Sequence, residues 1–535
     1  MKLKYFLTIA AAAVLTTACD MDLAPKGSLD EKVAIQTEQD AKQFRNGLYR
    51  SVRAVSSSQF LTATDIQTDM FNGITINGNR LGNFANGTIV SSESEIYDYW
   101  SAMYSLIAQT NYFFEYGEPV REKLEAEGNE EAADKVALYL AEAHFIRGYY
   151  YAMMFNRWCV EYEPAKGDTP GMGLPIVTVF NPTADRSKYP GRSTMNETLK
   201  FFNAEIQLGY DGIKAYEDKY PAEVAQERLS ANACYISSWA CKAMQARIAL
   251  WMNDWAKAQS IAEEVINCKL YSLATTSTYK AMWTDDRSTE IIFMPFESTD
   301  ELGNAIGNTW LNNGQGADYI LSATFLKELM AAGMTTGMVK KYKDVRFDAF
   351  VLDKQLITPY GNILAPCFNK FPGNKALQTT GESNYVNKPK VFRLSEMYFI
   401  AAEAAYNQGD ENKANSLMQT YMKNRINYSA NEGYEALSGI ALQEFIHTQK
   451  SIEFAGEGFR MSDLRRWKMG FNRYNGENYD INSKADYTGV SQILTPAGLE
   501  VEYSTTDYRY TWPIPASEIN ANPQIKGQQN PGYGN

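Results

Sequence analysis

Two histidines, His144 and His447, are all this chain has for imidazole chemistry. His144 sits in an apolar stretch and His447 stands near Gln443 and Lys450. No HExxH, GxSxG, P-loop or GxGxxG pattern occurs around them or elsewhere. Glu453 and Glu457 are one helical turn apart. Carboxylates that hydrolyse a glycoside must flank the sugar from opposed sides, which two residues on one helix face do not do. They read as architecture, paired with Arg465 or Arg466, while Arg460 and Asp463 face each other across a turn. Asp65 and Asp69 lack the rest of a calcium loop, and no CxxC supports zinc. The reading is no catalytic residue, no metal and no cofactor: a protein that binds, not an enzyme.

Binding chemistry concentrates in two Asn/Gly-rich stretches. The first, residues 71–88, carries Phe71, Asn72, Asn77, Asn79 and Arg80. The second, residues 299–320, carries Trp310, Asn312, Asn313, Gln315 and Tyr319. A sugar offers apolar C–H faces and a rim of hydroxyls, so flat rings with amides and a guanidinium are suitable partners. Phe71, Asn77, Asn79, Arg80, Trp310, Asn312, Asn313 and Tyr319 are the expected ligand contacts. For the Asn residues, turn formation competes with this role. For Trp310, packing beneath its loop does.

The first nineteen residues are an address. Lys2 and Lys4 precede an apolar run, Tyr5 to Leu15, and Thr16-Thr17-Ala18 leads to Cys19. This is a bacterial lipoprotein signal, residues 1–18, with Cys19 as the lipidation site and residues 19–30 as a tether. Beyond it no apolar run is long enough to span a bilayer. The formal charge of -12 makes nucleic acid an unsuitable partner. Cys159, Cys234, Cys241, Cys268 and Cys367 remain, an odd set read as small buried apolar residues.

The elements that must hold the loops are helical. Apolar periodicity predicts helices over 38–55, 96–116 and 130–158. Thr194 and Glu197 form a capping box that opens one to about Tyr216. Helix pairs are expected at 230–252 with 255–267, and at 394–407 with 411–425. Their turns share a signature, Asp254-Trp-Ala-Lys-Ala and Asp410-Glu-Asn-Lys-Ala, like tetratricopeptide units. A short strand is expected at 291–296. Residues 56–95, 160–192, 299–320 and 353–390 read as loop or irregular chain, and the proline-rich tail from Trp512 as an extended strap without helix. The fold class is mainly α: tetratricopeptide-like pairs with long loops and a few short strands, residues 31–535 forming one domain.

Three stretches resemble one family closely: Arg393-Leu-Ser-Glu396 with the helix after it, Glu453 to Leu464, and Trp512-Pro-Ile-Pro515 through Asn530-Pro-Gly-Tyr533. The resemblance is to the SusD/RagB family, surface lipoproteins of Bacteroidetes, and spans essentially the mature chain. It implies capture of extracellular glycan at the outer membrane and delivery to a SusC-like TonB-dependent transporter, with loops forming the ligand surface. Asp20 and Asp22 resemble the acidic export tags of such lipoproteins. A peptide ligand and a surface glycosidase are the alternatives this reading leaves open.

Overall fold

The computed structural model describes residues 34–74, 81–311, 316–331, 344–474, 479, 487, 489–494 and 500–534. Ten of the helices are α1 (Glu38–Ser56), α2 (Ser94–Ala126), α3 (Glu130–Trp158), α4 (Met195–Lys219), α5 (Ser238–Trp251), α6 (Trp255–Asn267), α7 (Leu394–Asn407), α8 (Glu411–Lys423), α9 (Gly439–Phe454) and α10 (Arg460–Arg466). Caps read from the sequence are in place. The Thr194 hydroxyl accepts from Glu197 N at 3.1 Å, and the Glu197 carboxylate accepts from Thr194 N at 2.8 Å.

One turn geometry closes three of the helix-to-helix connections. Gly128, Asn253 and Gly409 adopt positive φ. The next residue in each case returns its N–H to a carbonyl five residues back: Asn129 to Leu124, Asp254 to Ala249, Asp410 to Ala405, each at 2.9 Å. This closes the outgoing helix as a Schellman motif. Asp254 and Asp410 then cap the incoming helix, accepting from Lys257 N and Lys413 N at 3.3 and 3.0 Å. The shared Asp-x-x-Lys signature is therefore a capping device, and it makes antiparallel pairs of α5 with α6 and α7 with α8. The pairs stack through α6 against α7, although most of the irregular chain separates them in sequence. Lys413 Nζ meets the Glu263 carboxylate at 3.1 Å across that seam. α3 lies at the centre of the other half, packed by α1, α2 and α4.

Several expectations are corrected. Helix α5 begins at Ser238, capped by Ser237, not at Ser230. The backbone before it is used elsewhere: Asn232 N donates to Ile291 O and Ala233 O accepts from Met294 N, both at 2.9 Å. Residues 56–95 hold a helix, Gln59–Ile66, whose Phe60, Ala63 and Ile66 are buried at helical spacing. The stretch expected to be irregular at 353–390 begins inside a hairpin, β4 (Val351–Thr358) with β5 (Gly361–Phe368). Its turn is Pro359-Tyr360, and Gly361 supplies φ +99. The tail does form one short helix, Ala516–Ala521. Pro515 stands at its N-cap, where a missing N–H costs nothing, and the next proline, Pro523, lies past its end. Cys159, Cys241 and Cys367 are buried as expected, whereas Cys234 and Cys268 are half-buried; all five are free thiols.

The remaining strands are short: β1 (Phe71–Gly73), β2 (Ile291–Phe293), β3 (Tyr319–Leu321), β6 (Phe392–Arg393), β7 (Phe471–Tyr474) and β8 (Glu500–Tyr503). They pair antiparallel as β1–β3, β2–β6 and β7–β8.

Candidate functional site

The pairing of β1 with β3 decides where the two Asn/Gly-rich stretches go. Phe71 faces Leu321, Asn72 faces Ile320 and Gly73 faces Tyr319. Because the strands are antiparallel, the chain leaving β1 and the chain entering β3 emerge at the same end. Ile74 N donates to Asp318 O at 3.0 Å and extends the ladder one step toward the loops. The described ends of two stretches distant in sequence thus become neighbours.

Other segments pin this junction. Lys354, on β4, donates its Nζ to Leu311 O at 2.9 Å and to Gly316 O at 3.1 Å, one on each side of residues 312–315. Burial pulls that ammonium below its ordinary value. Tyr479 donates to Leu321 O at 2.8 Å and accepts from Asn72 Nδ2 at 3.1 Å. Tyr487 donates to the Asp353 carboxylate at 2.6 Å, and Ile74 bridges Leu494. Four separate stretches of chain meet here.

Beneath them is an aromatic floor. Trp310 stacks on Phe371 with centroids 5.8 Å apart and meets Phe368 and Phe71 at 5.0 and 5.3 Å. Such contacts add to area burial and hold ring positions firmly.

This geometry corrects three of the expected ligand contacts. Phe71 and Trp310 are 0% exposed and Tyr319 is 1% exposed. A ring with no accessible face cannot stack on a sugar; these three fill the floor that supports the loops. Cys19, Asn77, Asn79, Arg80, Asn312 and Asn313 lie outside the described residues. Sequence reasoning passed over Tyr360, 65% exposed at the β4–β5 tip, with exposed Ile357 beside the same turn. The signal was present as Pro-Tyr-Gly.

The family model described as "SusD family" matches residues 360–533, and that described as "Starch-binding associating with outer membrane" matches residues 21–250. The chain belongs to the SusD family. A SusD superfamily protein of Bacteroides thetaiotaomicron shares its fold, with TM-score 0.70 at 23% identity over 92% of this chain and 100% of that one. A SusD-like carbohydrate binding protein of Bacteroides vulgatus does so with TM-score 0.66 at 16% identity, over 92% and 98%. No curated protein matches the chain.

The residues that could have suggested catalysis in this SusD-family chain are structural. Glu453 is fully buried and accepts from Arg393 Nη1 at 2.7 Å, Arg425 Nε at 3.0 Å and Tyr421 OH at 2.5 Å. Burial pushes its carboxyl up, and the guanidinium groups of Arg425 and Arg393 more than reverse this, holding it below the usual range. Glu457 takes Arg393 Nη2 at 2.7 Å and Lys370 Nζ at 2.6 Å. The expected partners differ because long-range pairs win. Arg466 pairs with Glu403 and Asp463, Arg465 donates to the Cys159 and Asn156 carbonyls, and Arg460 pairs with Asp69 at 2.5 Å, not with Asp463.

His144 Nδ1 lies 2.8 Å from the Glu205 carboxylate. His447 stacks on Trp467 at 3.8 Å. Burial lowers the His447 imidazole to about 4, against the pull of Glu403. Its folded value lies below the ordinary histidine range, so the unfolded chain binds the extra proton first. The stability it contributes is whole above about pH 6.5 and is lost as pH falls toward 4. His447→Phe keeps a ring on Trp467 and removes the titration. Relative to the wild-type chain its melting temperature should rise between pH 6.5 and 4, read as the difference between the two melting curves, which cancels the carboxylates both share.

Proposed function

We propose that this SusD-family protein captures extracellular glycan with the loops that emerge from β1 and β3, and passes it to a SusC-like TonB-dependent transporter in the outer membrane. One observation supports the reading: the β1–β3 ladder brings the described ends of both Asn/Gly-rich stretches together over an aromatic floor. Asn77, Asn79, Arg80, Asn312 and Asn313 are the proposed contacts, with Tyr360 as an added ring. The family description, starch-binding and associating with the outer membrane, and the carbohydrate binding named for the B. vulgatus relative support a sugar as the ligand class. Among the described residues no helix is long and apolar enough to cross a membrane. Anchoring is assigned to acyl chains on Cys19, with the body facing the exterior; more than one chain holds stably where a single one does not.

Affinity electrophoresis of the protein in gels containing starch and other polysaccharides tests this. The pairs Asn79→Ala with Arg80→Ala, and Asn312→Ala with Asn313→Ala, should each weaken retardation about tenfold or more, as expected for losing one or two polar contacts to the ligand. Melting temperature should stay unchanged, because contacts made only to a ligand add nothing to the stability of the free protein. Undiminished retardation in both variants, or retardation by no glycan alongside capture of a peptide, overturns the reading. Cys19→Ser should release the protein from the envelope fraction.

A further inference from the structure

A cavity of about 50 Å³, whose wall shares Phe371 with the aromatic floor, lies where the C-terminal end of α3 meets α5, the Ala281–Thr284 helix and the turn at Gly458. Its wall includes Tyr149, Arg157, Arg247, Trp283 and Glu457. Arg157 and Trp283 are each 1% exposed. Arg157 donates its Nη groups to Asn156 Oδ1 and, at 3.1 Å, to Gly458 O. Its Nε, like Trp283 Nε1, finds no acceptor among the described residues. Both groups can only donate, and a buried donor left unmade is costly.

The charges around the cavity are otherwise matched. Glu457 belongs to Arg393 and Lys370, and Glu396 to Arg247 at 2.6 and 2.8 Å. Lys390 pairs with Asp286. The Asp65 carboxylate is taken by the backbone N–H groups of Gly458 and Arg460 at 2.9 and 3.1 Å. Arg157 has no carboxylate at hydrogen-bond distance among the described residues. Burial pulls it down to about 10, Asp65 partly restores it, and neighbouring Arg465 and Arg247 push it lower. A water here would bring two protons, for which the wall offers the Ser56 hydroxyl, itself without a partner among the described residues. An acceptor-only guest brings none and supplies the missing counter-charge.

We propose that this cavity binds a small monovalent anion of halide size, held by Arg157 Nε–H and Trp283 Nε1–H. On the same measure one water needs about 10–15 Å³, so the cavity has room for one such ion. The site ties α3 to the Ala281–Thr284 helix. It is independent of the glycan reading.

Bromide is the probe. Crystals of the protein grown in sodium bromide and measured at the bromine edge should show an anomalous peak within about 3.5 Å of both nitrogens. Water or empty density there, with no anomalous signal, overturns the proposal. In solution, the melting temperature should rise by about 1 °C per tenfold bromide above saturation, relative to sodium gluconate at equal ionic strength. Trp283→Phe, which keeps a ring and removes one donor, should abolish that bromide-specific rise. An equal rise in both salts, or one that Trp283→Phe leaves intact, also counts against the site.

Discussion

Glu453→Ala is expected to destabilise the protein by about 3–5 kcal/mol, the usual cost of removing one partner from a buried ion pair. Glu453 is the point where α9, α8, β6 and the chain after α8 are joined. Arg393 enters from β6, Tyr421 from α8 and Arg425 from just beyond it, all onto one carboxylate. Arg425 also holds Glu290 at 2.9 Å, and Arg393 also holds Glu457. With Lys370, three cations therefore balance three carboxylates, every one of the six less than a tenth exposed. Deleting Glu453 leaves two desolvated guanidinium groups sharing the anions that remain. The urea midpoint of the first unfolding transition should fall accordingly. Arg393→Met should cost a similar amount, and the double variant Arg393→Met with Glu453→Met much less than the sum, because a matched apolar pair removes both charges at once. A loss under about 1 kcal/mol for Glu453→Ala would show that the network relaxes to admit water, contrary to its packing.

The same network shows what could be read from the sequence and what could not. The helix pairs were legible because their signals are local. Asp254 and Asp410 each cap within three residues, and the Thr194–Glu197 box closes on itself. That Glu453 and Glu457 are architecture was also legible, from their spacing on one face. Their partners were not, because Arg393, Arg425 and Lys370 arrive from other elements and nothing in the spacing ranks them above nearby Arg465 and Arg466. The start of α5 failed for a related reason: Asn232 and Ala233 give their backbone groups to β2, a contact no window around Ser230 contains. The β4–β5 hairpin escaped because Pro359, Pro366 and Gly361 read as breakers, although two of the three sit at or beside its turn. At the candidate site the residue types drew attention to two stretches, and the β1–β3 ladder brings their described ends together. Choosing among their side chains needed the register, which sends Phe71 and Tyr319 inward.

Trp310 is where that distinction has the largest measurable consequence. As a floor residue it should be replaceable in shape and not in bulk. Trp310→Ala removes a side chain packed on Phe71, Phe368 and Phe371 and leaves a cavity, at an expected cost of about 3–5 kcal/mol. Glycan retardation should fall with it, because Leu311, which follows Trp310 and accepts from Lys354 Nζ, loses its support. Trp310→Phe keeps most of the packing. Its indole Nε1 has no hydrogen-bond partner among the described residues, so losing that N–H forfeits little. Trp310→Phe should therefore cost only about 1–2 kcal/mol, on the scale of a partial large-to-small change in a core, and retain glycan affinity within about threefold. A stacking platform behaves in the opposite way: affinity would drop with either substitution while the melting temperature held. Measuring both quantities on both variants separates the two roles. If Trp310→Phe lowers affinity tenfold without lowering the melting temperature, the indole reaches the ligand and the floor opens on binding.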